Sequence, residues 1–228
     1  MEFSKKIHSK NERKGNHMAK LKKWIGNLKV AEKLKVYRMA VLVMTAFFVL
    51  VALVSTLVIR SNIRHITEVW SPSLEYLQEL ETMTAKYRIK QYQHLVESDA
   101  AAMASCEKEN DNIESQIKDA TAKLGEIINS NKKAQQGKAD YEKATSAWEE
   151  YLSTSDEVYK LSRDNKQAEA AKIMIGSAYE SYMSFVKQLN TLHDDFQVEL
   201  DNAKTLANIC TIIIFIVIIV TGIAIAVV

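Results

Sequence analysis

Two stretches without a single charged side chain limit what this chain can become. Met39 to Ile59 (MAVLVMTAFFVLVALVSTLVI) is 21 residues long and lies between Arg38 and Arg60. Ile209 to Val228 (ICTIIIFIVIIVTGIAIAVV) is 20 residues long, with only Thr211, Thr221 and Gly222 outside the apolar set. A helix needs roughly 20 apolar residues to cross about 30 Å of hydrocarbon, so residues 39–59 and 209–228 are read as transmembrane helices. The first is too long for a secretory leader and no small-residue cleavage site closes it, which favours an uncleaved anchor. Two crossings put both ends of the chain on one side of the membrane.

Charge indicates which side. Residues 1–38 carry 12 Lys and Arg against 3 Asp and Glu, whereas residues 60–208 carry 18 basic and 25 acidic residues. Basic residues beside a membrane entry are retained in the cytoplasm. Residues 1–38 are therefore expected in the cytoplasm and residues 60–208 outside the cell or plasma membrane. Leu21, Trp24, Ile25, Leu28 and Leu34 recur among six lysines, a basic amphipathic pattern suited to an anionic inner leaflet; setting the topology explains the same lysines. Residues 1–17 show no periodicity, and Met18 is a second candidate start. The only cysteines, Cys106 and Cys210, cannot build a disulfide framework or a CxxC metal site.

One Pro and six Gly in 228 residues leave little punctuation for sheets, and the central region reads as four helices. After Pro72, Leu74, Leu77, Leu80, Met83, Tyr87 and Leu95 trace a stripe toward Glu97. Ile113, Ile117, Ala120, Leu124 and Ile127 trace a second, closing before the polar loop Asn129 to Lys138. Tyr141, Ala144, Trp148, Leu152, Ser155 and Tyr159 mark a third, ending near Arg163, Asp164 and Asn165. The fourth holds Ala171, Ile175, Ala178, Tyr182, Phe185, Leu189, Leu192, Phe196, Leu200 and Ala203. The expected fold is all-α: an antiparallel up-down-up-down four-helix bundle whose first and fourth helices lie side by side and continue into the two transmembrane helices.

With these elements in place the sequence resembles the four-helix-bundle ligand-binding domain of methyl-accepting chemotaxis proteins. The resemblance is carried by Trp70-Ser71-Pro72, by YRIKQYQHLVESDA (Tyr87 to Ala100) and by the block from Tyr141 to Leu192. It covers most of residues 30–228. It implies a homodimeric sensor that binds a small molecule or an extracytoplasmic binding protein and shifts its last helix relative to its first. In that family the displacement reaches a HAMP linker and a methylated coiled coil that controls a histidine kinase. The sequence stops at Val228 without those parts. A sensor portion of a longer receptor and a stand-alone membrane sensor both fit, and any downstream kinase is reached only through cytoplasmic parts outside this sequence.

Catalytic signatures are absent: no GxGxxG, Walker loop, HExxH or GxSxG occurs. The chain is read as non-enzymatic, with no cofactor, metal or nucleic-acid partner. His193, Asp194 and Asp195 sit about 100° apart on a helix and cannot converge on one ion, so they read as a solvated face. His94 lies near the inward stripe and reads as a core histidine. Gly222 and Ala226 form a small-xxx-small pair of the kind that lets membrane helices approach, which also arises by chance in such spans.

For ligand capture, Arg is suited to a carboxylate because its planar fork donates two bonds. Arg88 lies 28 residues after Arg60, about 42 Å along a helix. Counting 28 back from Leu206 reaches Ala178, so Ser177, Tyr179, Ser181 and Tyr182 should stand level with Arg88. The resemblance implies basic residues of the first helix opposite hydroxyls of the fourth, at the dimer seam. Arg88, Gln91, Ser177, Ser181 and Tyr182 are the candidate ligand-binding residues, with loosely paired surface charges as the alternative. Two other functions fit the same sequence: a membrane-anchored helical bundle acting as a structural or regulatory partner, and the sensor of a histidine kinase or nucleotide cyclase.

Overall fold

A computed structural model describes residues 29–227, with side chains through Ile223, and every long element in it is a helix. In chain order these are α1 (Val30–His65), α2 (Ser71–Val96), α3 (Ala100–Ser130), α4 (Lys138–Arg163), α5 (Gln167–Ile175) and α6 (Ser177–Val227). The described residues form two compact units. One holds the chain up to Val58 together with the stretch from Ile209; the other is Ile59–Asn208. The amphipathic segment around Trp24 falls outside the described residues.

In the first unit, α1 and α6 each contain a window long and apolar enough to cross a membrane. Two threonine hydroxyls in these helices are satisfied by their own backbone. The Thr56 hydroxyl donates to the Ala52 carbonyl at 2.8 Å and the Thr221 hydroxyl to Val217 at 2.6 Å, the back-bonding that lets Thr sit in a helix without an orphaned group. Gly222 faces open space within the chain, with no atom within 4 Å of a Cβ placed there.

The second unit is the four-helix bundle, built from α2, α3, α4 and the fourth strand of helix formed by α5 and the first part of α6. Its core is continuous. Trp70, Leu77, Leu80, Tyr87 and Leu95 of the first side pack with Ile117, Leu124 and Ile128, with Trp148, Tyr151 and Val158, and with Phe185, Leu189, Leu192 and Phe196. Aromatic contacts tie the helices: Trp70 to Phe196 at 5.5 Å, Tyr87 edge-on to Trp148 at 5.4 Å, and Trp148 to Phe185 at 5.3 Å between ring centroids.

Pro72 does not end the first helix. A proline inside a helix removes one N–H and crowds the carbonyl four residues back, and the turn just before it, Ile66–Trp70, widens to a π-helix whose last bond runs from the Ser71 N–H to the Ile66 carbonyl. α1 thus passes into α2 without a loop.

The turns have legible causes. Asp99 caps α3 by accepting from the Ala102 N–H at 3.0 Å. α4 ends where Asn165 takes a left-handed φ of 57°; there the Lys166 N–H returns to the Leu161 carbonyl and the Asn165 N–H to Ser162, the paired bonds of a Schellman motif. The expected polar loop from Asn129 is shorter than its composition suggests. α3 runs through Ser130, and Ala134–Gly137 forms a 3-10 turn with Ala134 and Gly137 buried.

The fourth helix departs from the continuous stripe expected from Ala171 onward. It breaks at Gly176, whose N–H bonds back to Lys172 and Ile173. A Cβ at Gly176 would stand 2.9 Å from the Lys172 carbonyl oxygen, so glycine suits the break. The break resets the register: Ala170 and Met174 are buried, whereas Ile175 is 68% exposed. The expectation that Ile175 faces the core is therefore corrected.

Candidate functional site

Arg88 lies on the inner face of α2, one turn beyond Thr84 and one before Tyr92, and its side chain turns into the bundle of a single chain. It is only 9% exposed. One guanidinium nitrogen, Nη2, donates to the Met174 carbonyl at 2.9 Å and to the Tyr92 hydroxyl at 3.0 Å. The other, Nη1, is buried with no acceptor. Among the described residues no carboxylate forms an ion pair with it.

Four tyrosines replace a counter-ion. The guanidinium carbon lies 4.9 Å from the ring centroid of Tyr182, 5.3 Å from Tyr92, 5.4 Å from Tyr179 and 5.9 Å from Tyr151, within reach of cation–π attraction. Burial pushes the Tyr151 and Tyr182 hydroxyls above the ordinary phenol value, with Arg88 acting in the opposite direction. Neither supplies a negative charge at neutral pH. The cage therefore holds a cation among polarisable faces, with one guanidinium nitrogen, Nη1, left without an acceptor.

The Met174 carbonyl is available because of Gly176. The last carbonyls of a helix lack intrahelical partners, and the break exposes that of Met174 to Arg88 of the neighbouring helix. A cation at a helix C-terminus also complements the helix dipole. Arg88 thus caps α5 at its junction with α6.

The remaining sequence-derived candidates divide between interior and surface. Gln91 is fully buried, donating to Ser155 Oγ at 2.8 Å and accepting from the Tyr151 hydroxyl. Ser181 is buried, its hydroxyl donating to the Ser177 carbonyl at 3.2 Å. Tyr182 is half-buried against the guanidinium, and the Ser177 side chain is exposed. Arg88, Gln91 and Tyr182 are linked through Tyr151; Ser177 is not brought to them. Tyr92, Tyr151, Ser155 and the Met174 carbonyl are absent from the sequence-derived set. Tyr92 is legible as the residue four positions after Arg88 on the same helix face; the Met174 carbonyl carries no side-chain signal.

Beyond this site, toward the turns that end α2 and α4, His94 is fully buried. Its Nδ1 meets Ser162 Oγ at 3.0 Å and its Nε2 meets Glu107 at 2.9 Å, while Arg163 also donates to Glu107 at 2.7 Å. This network joins α2, α3 and α4 and makes His94 a core histidine. His193, Asp194 and Asp195 are exposed, and no group of three or more metal-ligating side chains occurs among the described residues.

Comparison with known proteins agrees with this architecture. A sequence-family model described as a four helix bundle sensory module for signal transduction matches residues 27–208. No curated protein matches the chain.

Proposed function

Because the chain belongs to the family of four-helix-bundle sensory modules for signal transduction, of the methyl-accepting chemotaxis protein type, we propose that it is the sensor region of a transmembrane chemoreceptor. In this reading the bundle lies outside the cell membrane, acts as a homodimer, and takes a small ligand bearing a carboxylate. The signal is the movement of α6 relative to α2. A binding protein presenting the same chemistry is the second form of input that the family suggests.

The observation that carries the ligand class is the buried, unpaired guanidinium of Arg88 with its free Nη1. A charge removed from water without a partner is costly, and a ligand carboxylate offers the two acceptors that a guanidinium fork matches. Tyr92 and Tyr179, 38% and 46% exposed, flank the guanidinium on its open side. Their displacement gives access.

The same contact suggests how occupancy becomes motion. Nη2 now holds the Met174 carbonyl at the α5–α6 junction. A carboxylate that engages both nitrogens competes for that donor and releases the junction, so ligand-free and ligand-bound states differ in how α6 is held. Only such differential affinity shifts an equilibrium between two states.

The test is the thermal midpoint of the full chain in lipid nanodiscs with panels of amino acids and organic acids. A carboxylate at about 100 times its Kd should stabilise by about 2.7 kcal/mol, and Arg88→Lys, which lacks the fork, should remove the shift. If no carboxylate raises the midpoint, or Arg88→Lys keeps the full response, the assignment of Arg88 as receptor for the ligand is wrong.

A further inference from the structure

A second opening into the bundle lies apart from Arg88. α3 and α4 part along their middle, and the gap leads to a cavity of about 500 Å³, within the size range of small-molecule sites, roughly 300–1,000 Å³. Small side chains make the gap: Thr121 and Ala122 on α3 face Ala144 and Thr145 on α4. The floor is the core itself, formed by Leu80, Trp148, Phe185 and Leu189.

The mouth is acidic. Glu114 on α3 and Glu149 on α4 stand on its two sides, and neither enters an ion pair among the described residues. Lys118 is the one basic side chain in the lining. Partial burial, then the charges of Asp111 and Asp156, hold the Glu114 carboxyl above its ordinary value, with Lys118 acting against them. Negative charge at this mouth is thus incompletely compensated.

An apolar, aromatic-floored cavity under an acidic rim is complementary to one ligand chemistry. We propose that the α3–α4 cleft binds small aromatic amines, the ring entering against Trp148 and Phe185 and the ammonium held between Glu114 and Glu149. The ring gains the burial of its apolar area, and the ammonium gains charge-assisted bonds from carboxylates that lack partners. Carboxylates are disfavoured here by the same rim, so this site and Arg88 select opposite charges.

The probe is 2-phenylethylamine, with neutral 2-phenylethanol as its comparison, in equilibrium dialysis against the full chain in nanodiscs, with empty nanodiscs subtracted to remove lipid partitioning. The expected result is saturable binding of one amine per chain, at least tenfold tighter than the alcohol. The doubly substituted E114Q/E149Q protein should bind both compounds alike. Thr145→Phe fills the gap from a half-buried position and should abolish binding of both, with circular dichroism reporting that the helices persist. Absence of saturable amine binding, equal affinity for amine and alcohol, or undiminished binding by folded Thr145→Phe would each overturn the proposal. Carboxylate binding at Arg88 stands or fails on its own ligands and its own variant.

Discussion

The Arg88 guanidinium and the Met174 carbonyl oxygen, 86 residues apart in the chain, meet at 2.9 Å. The bond joins the middle of α2 to the one interruption in the fourth helix. It exists because two sequence events coincide at one height in the bundle: an arginine on the inner face of α2, and a glycine that frees a helix-terminal carbonyl opposite it.

Gly176→Ala tests whether that interruption is held by its surroundings. In an ordinary helix interior, Gly to Ala gains roughly 0.5–1 kcal/mol. Here the added Cβ meets the Lys172 carbonyl oxygen at 2.9 Å, a backbone atom that cannot rotate aside. The expected outcome is a loss on the order of 1 kcal/mol, as for mild overpacking, read as a lower thermal midpoint. A raised midpoint would show that α5 and α6 readily join into one straight helix.

Asn165 tests the turn between α4 and α5. Its φ of 57° is tolerated by Asn and free for Gly, whereas a β-branched side chain is strained there. Asn165→Val should cost about 1–2 kcal/mol and Asn165→Gly should be nearly neutral. Chemical denaturation of the pair measures the difference, and equal stabilities would contradict the Schellman assignment.

Glu114 predicts a pH dependence of definite sign. Its carboxyl is held above the unfolded value by burial and by Asp111 and Asp156. Above both values the ionised group opposes folding, and that penalty is relieved as pH falls through the folded value. Glu114→Gln should therefore stabilise the bundle at neutral pH, and the gain over the natural chain should shrink at mildly acidic pH. A gain that is constant with pH would assign the effect to packing instead of charge.

The helices and their inward stripes are legible in the sequence because the 3.6-residue period selects one face of each. Leu77, Leu80, Tyr87, Ile117, Leu124, Trp148, Phe185, Leu192 and Phe196 are all read from spacing and all buried. The period fixes a face only as finely as its width. On α4 the spacing points to Leu152 and not to its neighbour Tyr151, yet Tyr151 is fully buried and Leu152 half-buried. On the fourth helix the stripe is drawn through Gly176 as though no break occurred, which misplaces Ile175 and hides Met174.

The candidate site follows the same division. Counting residues from the two apolar runs brings Arg88 level with Ala178, and Arg88 does meet Tyr179 and Tyr182. Counting gives height along a helix and says little about azimuth, so it does not reveal that the guanidinium turns inward. Nor does it reveal a carbonyl acceptor, since every residue carries one and only the break distinguishes that of Met174.

The stacking of Trp148 on Tyr151, 5.1 Å between centroids and 24° between planes, acquires a further meaning from its two ends. Trp148 floors the α3–α4 cleft, and Tyr151 lines the Arg88 cage. The two residues lie one helical turn apart on α4 and their rings are in offset contact, so one side of the pair faces the cleft and the other faces the cage. The wall between the cleft and the cage is therefore thin, a single pair of stacked side chains carried by one turn of α4.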